Sequence, residues 1–471
     1  MPSIASNVTS RPADGHNCAA RLSSALVCSV FDLRGSNIII LDRPVQADEP
    51  ALATIRQAVV LVGGRGTRLG PLTADLPKPL LEVGGRPFLG WLLRELCRYG
   101  VEDVLLLAGH LADRIEAAIP GIVSALPRRI AVTVLSEPAD VPAGTGGALV
   151  RARHLLDDRV LVCNGDTLFD TNLAHLLADA AGDGPDVAGR MLLRRMADRG
   201  RYGAVRIAGD HVVAIDSSGT GPVTINTGIA VLRTAALDGA PTTASLEADI
   251  LAPLAHAGKL RATVADGWFC DIGVPDDLRR ARAELAQRLL RPALILDRDG
   301  TINLDHGHVG TRDRFEWVTG ARDAIRAAGD RGWHVFVATN QSGVGRGHYD
   351  EAAVRSLHGW MDDRVRAAGG TVDDWRFCPF HEQAAVGRYR RASDWRKPGP
   401  GMLRDLAGAW SLDPASCVMV GDQPSDIRAA TAAGMTGHLF TTGNLHAFVI
   451  RLLDNLSGSG RLPGGDRGPE C

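Results

Sequence analysis

The sequence predicts an α/β protein made of two Rossmann-like, three-layer domains in tandem. Three observations carry that expectation. Short runs of wholly apolar residues end in glycines or in an acidic glycine turn, as buried parallel strands do where they feed a loop. Stretches with a helical period separate several of these runs. The series then begins again after Arg291-Pro292, with no long flexible linker in between.

The elements follow in chain order. Residues 1–54 have no clear period and many small polar residues, and they read as a poorly ordered extension with one strand-like run, Asn37-Ile38-Ile39-Ile40-Leu41. A domain at 55–290 opens with the apolar run 58–62. Further strands are expected at 104–107, 131–135, 160–163 and 204–207, and a helix at 88–99. A helix at 275–290 runs straight into Ala293-Leu294-Ile295-Leu296, the first strand of a second domain at 291–455. Strands at 335–338 and 417–420 follow, with helices at 321–331, 351–368 and 401–410. The direct junction predicts a defined relative orientation of the two domains. Residues 456–471 are rich in Gly, Pro and Ser and read as a flexible tail.

Composition narrows the function. The 471 residues carry a net charge of −2, so no bulk basic excess points to nucleic acid. No apolar run approaches the ~18 residues of a membrane span. The start lacks the charged-then-apolar pattern of a secretory signal. Eight scattered cysteines form no Cys-x-x-Cys pair, which argues against a disulfide framework or a zinc ribbon and for a cytoplasmic protein with reduced thiols. Of 52 basic residues only Lys78, Lys259 and Lys397 are lysine. Where arginine could serve, this chain uses arginine, so each lysine asks for a reason.

The first chemical cluster follows the first strand. Gly63-Gly64-Arg65-Gly66-Thr67-Arg68 would let backbone N–H groups approach phosphate, and Arg68 and Lys78 add charge. Dinucleotide-binding spacing fails because position 69 is Leu69, and Gly-Lys-Ser/Thr occurs nowhere in the chain. Downstream stand Gly144-Thr145-Gly146-Gly147-Ala148, Asn164-Gly165-Asp166 and Asp271-Ile272-Gly273. Two aspartates at strand mouths suit a Mg²⁺ ion that keeps water and phosphate oxygens, although either alone would serve as a cap or turn residue.

These motifs, with Pro77-Lys78-Pro79, Arg201-Tyr202-Gly203, Ile225-Asn226-Thr227-Gly228 and Ser245-Leu246-Glu247, resemble the sugar-1-phosphate nucleotidyltransferases, in the branch of the heptose-1-phosphate guanylyltransferases. The resemblance spans residues 58–285 and implies a GT-A-like mixed sheet. It also implies that Gly63, Gly64, Gly66, Thr67, Arg68, Gly146 and Asn164 hold the nucleotide, that Lys78 contacts phosphates, and that Asp166 and Asp271 hold Mg²⁺. The sequence departs from the family once. Relatives carry a Glu-Lys pair whose lysine grips the sugar phosphate. Here Ala214-Ile215-Asp216-Ser217-Ser218 has no lysine, which leaves Arg194, Arg195 or Arg201 as substitutes, or a weak transferase.

The second cluster opens with Asp297-Arg298-Asp299-Gly300-Thr301, two carboxylates two apart after a buried strand. Thr339-Asn340-Gln341-Ser342-Gly343, Arg396-Lys397-Pro398-Gly399-Pro400 and Gly421-Asp422-Gln423-Pro424-Ser425-Asp426 follow in order. The set resembles the haloacid-dehalogenase phosphatase superfamily over residues 293–445, and its longer strings are similar to heptose-bisphosphate and histidinol-phosphate phosphatases. The resemblance implies a parallel sheet. It casts Asp297 as nucleophile and Asp299 as acid and base. Thr339, Asn340 and Lys397 would bind phosphate, and Asp297, the Asp299 carbonyl and Asp422 would hold Mg²⁺, supported by Asp426. The intervals between motifs are too short for a large cap, and only residues 375–395 can fold over the site. Relatives bind zinc there through Cys-x-His and Cys-x-Cys. This chain offers Cys378 but has Phe380 at the His position and Ser393-Asp394-Trp395 near the second pair, so zinc is not expected. Arg388, Arg390 and Arg391 would either meet a second substrate phosphate or form a solvated basic loop.

The resemblances together imply a bifunctional enzyme. One half would remove the 7-phosphate of heptose 1,7-bisphosphate, and the other would join heptose 1-phosphate to a nucleotide, GTP being the expected donor. Mg²⁺ is expected in both domains. The partners would be sugar phosphates and a nucleoside triphosphate, with no nucleic acid and no membrane, and a homo-oligomer is compatible with the sequence. Two other readings stay open: a different hexose 1-phosphate with a histidinol-phosphate-like phosphatase, or an N-terminal half that binds nucleotide sugar without turnover.

Overall fold

The computed structural model describes residues 29–31, 37–39, 54–137, 142–197, 200–216 and 223–458. Within residues 1–53 it describes two short strands, Ser29–Phe31 and Asn37–Ile39, which pair antiparallel. The expected disorder of that extension otherwise lies outside the described residues; of the tail expected at 456–471, residues 456–458 end the helix Leu445–Gly458, and the rest lies outside the described residues.

From residue 54, apart from a two-residue hairpin of Glu82–Val83 with Arg86–Pro87, the strands of this domain are β1 (Gln57–Leu61), β2 (Asp103–Ala108), β3 (Ala131–Ser136), β4 (Arg159–Asn164), β5 (Thr167–Asp170), β6 (Gly189–Met196), β7 (Ala204–Ala208), β8 (His211–Asp216), β9 (Val223–Arg233), β10 (Leu260–Ala265) and β11 (Trp268–Asp271). Nine of them form a mixed sheet in the order β6-β10-β8-β7-β9-β4-β1-β2-β3. Strands β3, β2, β1 and β4 run parallel, and β9 joins β4 antiparallel. The remaining two, β5 and β11, make an antiparallel ribbon beside the sheet. The apolar run at the start of this domain is buried on both faces, and Ala58, Val59 and Val60 are fully inaccessible. Burying such a valine is worth ~1.5–3 kcal/mol.

The second sheet is wholly parallel, as expected. Its strands are β12 (Ala293–Leu296), β13 (His334–Asn340), β14 (Asp374–Cys378), β15 (Cys417–Gly421) and β16 (Thr436–Leu439), in the order β14-β13-β12-β15-β16. Alternation along β12 explains the layers. Leu294 and Leu296 face a core shared with helices Ala321–Asp330 and Leu445–Gly458. Ala293 and Ile295 face Met402, Leu406 and Trp410 of helix Gly401–Trp410.

That second core does not stop at the domain junction. It is continuous with Leu89, Leu92, Leu93 and Leu96 of helix Phe88–Arg98. All 11 residues of this helix are buried, the charged Arg94, Glu95 and Arg98 among them. A helix that buries its charges needs partners for them, and these come from the second domain: Asp373 just before β14, and Arg291 at the junction.

One expectation is corrected by register. Residues 375–378, expected to belong to the covering stretch, lie within β14, paired along the edge of β13. Apolar and aromatic residues there complete the sheet, so what can cover the site begins at Pro379. The motif Gly144–Ala148 forms the start of a helix, Gly144–Ala152.

Candidate active sites

Both sites form at the carboxyl ends of central strands, where parallel chains turn back into helices. At the first, Lys78 emerges from a short 3-10 turn and is buried, with Nζ 2.7 Å from Asp166 Oδ2. Asp166 sits in the turn after β4. Gly165 allows that turn to press against β1: a Cβ there would stand 2.9 Å from the Leu61 carbonyl oxygen and 2.5 Å from Val62 Cγ1. The ribbon brings in the second acid, because Asp271 is paired with Thr167 and Ile272 N donates to the Asp166 carbonyl oxygen at 3.0 Å. Burial and the neighbouring Asp166 hold the Asp271 carboxyl above the usual carboxylate range. Two repelling carboxylates beside one lysine are a donor set that a divalent cation would suit.

The other predicted residues of this site fall into two groups. Gly63 and Gly64 form an exposed loop at the end of β1, Gly66 takes a left-handed conformation with φ 64°, and the exposed Thr67 and Arg68 open the 3-10 helix Thr67–Thr73. Gly146 lies apart in role. It is inside its helix, with its N–H bonded to the Ala244 carbonyl at 2.9 Å, so that donor is already used. Asn164 ends β4 at a close approach to Gly228. Of the arginines that could replace the missing lysine, Arg201 bonds Asp271 at 2.9 Å and Asp277 at 2.6 Å, and Arg195 lies 3.6 Å from Asp266. Arg194 packs over the Phe269 ring. Ser217 and Ser218 lie outside the described residues.

The second site is tighter. Lys397 Nζ stands 2.8 Å from Asp297 Oδ1 and 2.7 Å from Asp426 Oδ1, and all three side chains are nearly inaccessible. Burial opposes the lysine charge, but Asp297 and Asp426 together hold its pKa above the ordinary value. Burial also keeps the Asp297 carboxyl well above the usual range despite Lys397 beside it. Oxygens of Asp297, Asp422 and Asp426 lie within 4.8 Å of one another. Asp422 Oδ1 is buried with no hydrogen-bond partner. Three acids against one lysine, with an orphaned oxygen between them, fit a divalent cation. Gly300 makes room for this corner: at φ 80°, a Cβ would stand 2.4 Å from the Asp422 carboxylate carbon.

Thr339 ends the central run of β13 and is buried. Asn340 turns out to be a brace, because its amide donates to the Lys397 carbonyl at 3.1 Å and accepts from the Lys397 N–H at 3.0 Å. Its side chain thus positions the lysine. Sequence reasoning assigned no role to Arg298, which is fully buried between the two aspartates and forms an ion pair with Asp299. A charged residue at the end of an otherwise apolar strand was the available signal.

The covering stretch is held without a Cys-and-His cluster. Cys378 is buried and its Sγ approaches the Phe380 carbonyl, while His381 accepts from Gln383 N through Nδ1. Arg391 stacks 4.0 Å from the Phe380 ring centroid, and Arg390 donates to the Ala384 carbonyl. Tyr389 reaches Glu351 at 2.8 Å. Cation–aromatic and hydrogen-bond contacts occupy the loop that zinc would otherwise tie. Protein purified without chelator is therefore expected to carry far less than one zinc per chain by elemental analysis.

Residues 57–288 match the nucleotidyl transferase family model, and residues 394–450 match a HAD-hydrolase-like model. A D-glycero-β-D-manno-heptose-1,7-bisphosphate 7-phosphatase from Rhodopseudomonas palustris is 47% identical over 163 residues, covering 35% of this chain and 91% of that protein. The enzyme of the same name from Escherichia coli K12 is 43% identical over 153 residues, covering 32% and 80% respectively. Among solved structures, HddC from Yersinia pseudotuberculosis is 30% identical with a TM-score of 0.43, covering 49% of this chain and all of that one.

Proposed function

The chain belongs, through its C-terminal part, to the family of the D-glycero-β-D-manno-heptose-1,7-bisphosphate 7-phosphatases, and with a nucleotidyl transferase domain ahead of that part we propose a bifunctional enzyme of nucleotide-activated heptose synthesis. The proposed division is 55–290 for transfer and 291–455 for hydrolysis. The observation that carries the reading is the pocket of Asp297, Lys397, Asp422 and Asp426 in a domain so similar to that phosphatase, downstream of a domain that matches the nucleotidyl transferase family. One half would make what the other consumes.

In the hydrolytic half, Asp297 Oδ1 already accepts from Arg298 N at 2.7 Å and faces Lys397, so Oδ2 is the oxygen assigned to attack. A new P–O bond forms to Asp297 and the bond to the sugar oxygen breaks. That oxygen keeps the electron pair and takes a proton from Asp299. Asp299 then removes a proton from water, the water oxygen bonds to phosphorus, and the aspartyl P–O bond breaks to restore Asp297. Lys397 and the Thr339 hydroxyl hold the transferring oxygens. Asp297, Asp422 and the Asp299 carbonyl would hold Mg²⁺, which when bound neutralises phosphoryl charge.

In the transferase half, an oxygen of the sugar phosphate attacks the α-phosphorus and pyrophosphate leaves with the electron pair. Arg68 and Lys78 offset the charge that builds up. Asp166 and Asp271 would hold Mg²⁺. GTP is the proposed donor, and the proposed setting is cytoplasmic. Among the described residues no helix is long and apolar enough to cross a membrane.

The test is one incubation of the chain with heptose 1,7-bisphosphate and each of GTP, ATP, CTP and UTP, followed by mass analysis. Phosphate, pyrophosphate and an NDP-heptose are expected with one nucleotide. Release of phosphate with no nucleotide sugar from any of the four would leave only the hydrolytic half standing. The lysines give a sharper check. Lys78→Arg should lower transfer by about 10²-fold or more and spare phosphate release, and Lys397→Arg should do the reverse. Lys259→Arg, on an exposed turn, should change neither.

A further inference from the structure

Asp299 does not stand free at the mouth of its site. Its Oδ1 accepts from Arg298 Nε at 3.1 Å and from Asn303 Nδ2 at 3.0 Å. Its Oδ2 accepts from Arg298 Nη2 at 3.0 Å and from Gln341 Nε2 at 2.7 Å. Gln341 is itself 1% exposed, and the same Nε2 donates to Thr339 Oγ1 at 3.0 Å. One amide nitrogen therefore holds two groups with different tasks, and the two acceptors can lie no farther apart than these bonds allow.

The direction of those bonds matters. The Thr339 oxygen accepts from the amide, so its own hydroxyl proton is left to donate elsewhere, toward the phosphoryl group. The amide cannot flip without losing both bonds, because its oxygen is also occupied. Gln341 Oε1 accepts from Tyr349 OH at 2.8 Å and from Arg298 Nη2 at 3.1 Å. Arg298 is anchored in turn to the Val309 carbonyl and faces His358, whose burial and proximity to Arg298 keep its pKa well below the ordinary value. A neutral imidazole adds no second charge there.

We propose that Gln341 is a positioning residue that sets Asp299 and the Thr339 hydroxyl in register with each other, and that Tyr349 locks its amide in the working orientation. This rests on the phosphatase reading above, in which Asp299 protonates the leaving oxygen. Proton transfer from a positioned acid is worth about 10²–10⁴-fold, and it needs hydrogen-bond reach at the moment the bond breaks. An acid that has lost its register fails where the leaving group needs a proton, and matters little where it does not.

That difference supplies the test. The variants are Gln341→Met, of similar volume, and Tyr349→Phe, with Asp299→Asn as the reference for a missing acid. Each is assayed for kcat/KM on heptose 1,7-bisphosphate, whose alkoxide must be protonated, and on p-nitrophenyl phosphate, whose phenolate leaves unaided. Because kcat/KM covers only steps up to release of the leaving group, it leaves out hydrolysis of the aspartyl-phosphate, and the sugar-to-aryl ratio then reports the need for a proton on the leaving oxygen. Gln341→Met is expected to lose about 10²-fold on the sugar phosphate and about 10-fold or less on the aryl phosphate, with Tyr349→Phe shifted the same way by less. Thermal unfolding is followed in parallel. If Gln341→Met does not fold, Tyr349→Phe must still lower the sugar-to-aryl ratio. A ratio unchanged in the folded variants while Asp299→Asn lowers it would overturn the positioning role. A wild-type chain that hydrolyses neither ester, or an Asp299→Asn variant that leaves the ratio unchanged, would instead remove the phosphatase reading and this inference with it.

Discussion

Replacing Asp297 with asparagine should abolish phosphate release from heptose 1,7-bisphosphate while leaving nucleotidyl transfer to heptose 1-phosphate at the wild-type rate. The reason is chemical. Asparagine keeps the volume and can still accept from Arg298 N, but it has no anionic oxygen with which to form the aspartyl-phosphate. Loss of a nucleophile that acts within a preformed constellation costs about 10⁴-fold or more. Asp297→Asn also relieves the crowding of acids around Lys397, where Asp297 and Asp426 stand within 2.8 Å of one ammonium. The fold should therefore survive, and the unfolding transition should stay within ~1 kcal/mol of wild type. Phosphate release and pyrophosphate release from separate substrates check the two halves in one preparation. Loss of both activities would mean that transfer also depends on the phosphatase pocket, contrary to the separate sites described above.

Why this pocket was legible in the sequence, and others were not, has a physical basis. Asp297, Asp299 and Asp422 each sit just beyond a strand end, and strand ends announce themselves as apolar runs that stop at a polar residue, while Lys397 stood out as one of only three lysines. In the N-terminal half the same signal exposed Asn164 and Asp166. It could not give the roles of Arg298, Gln341 or Asn340, because those roles depend on which face a side chain takes and what stands opposite. Asn340 was read as a phosphate ligand, yet its amide clasps the Lys397 backbone across 57 residues of chain. The long strand Val223–Arg233 and strand Gly189–Met196 were also missed. Thr224, Asn226 and Thr227 in the first, and Arg190, Arg194 and Arg195 in the second, break up the apolar pattern and leave only the short runs Ile229–Leu232 and Met191–Leu193. The ribbon of Thr167–Asp170 and Trp268–Asp271 pairs segments about a hundred residues apart, and no local period reports such a pairing.

The junction is where sequence reading was most limited, and it yields the other large effect. Glu95→Gln should destabilise the protein by ~3–5 kcal/mol, because it leaves buried guanidinium groups without their shared counter-charge. Glu95 accepts from Arg291 Nη1 at 2.8 Å through both oxygens, stands 3.2 Å from Arg98 and 3.6 Å from Arg94. Burial opposes its charge, yet Arg291 and Arg98 hold its carboxyl far below the usual range. The chain of contacts continues outward on both sides. Arg291 reaches Asp170 at 2.7 Å, on the ribbon that follows Asp166. Arg98 reaches Asp373 at 2.5 Å, and Arg94 donates to the Trp410 carbonyl at 2.9 Å. Asp373 also lies 3.4 Å from His334, at the start of β13. Acid should therefore weaken the junction in two stages. Burial lowers the His334 pKa to about 4, with Asp373 pulling the other way and Arg98 and Arg94 adding to the shift. Between about 6.5 and 4 the unfolded chain binds a proton that the folded chain does not, and stability falls by up to ~3 kcal/mol. Burial raises the Asp373 carboxyl, but Arg98 and His334 outweigh it and bring the pKa down to about 2. Below the unfolded carboxylate value near 4, Asp373 and Glu95 then give up their contribution as pH drops further. The unfolding midpoint followed from pH 8 to pH 2 should decline from about pH 6.5 downward, first through the His334 stage and then through the carboxylate stage. The Glu95→Gln variant should start lower, keep the His334 stage, and lose part of the decline below pH 4.5. A wild-type midpoint that stays flat from pH 7 to pH 4 would contradict this account of the buried junction.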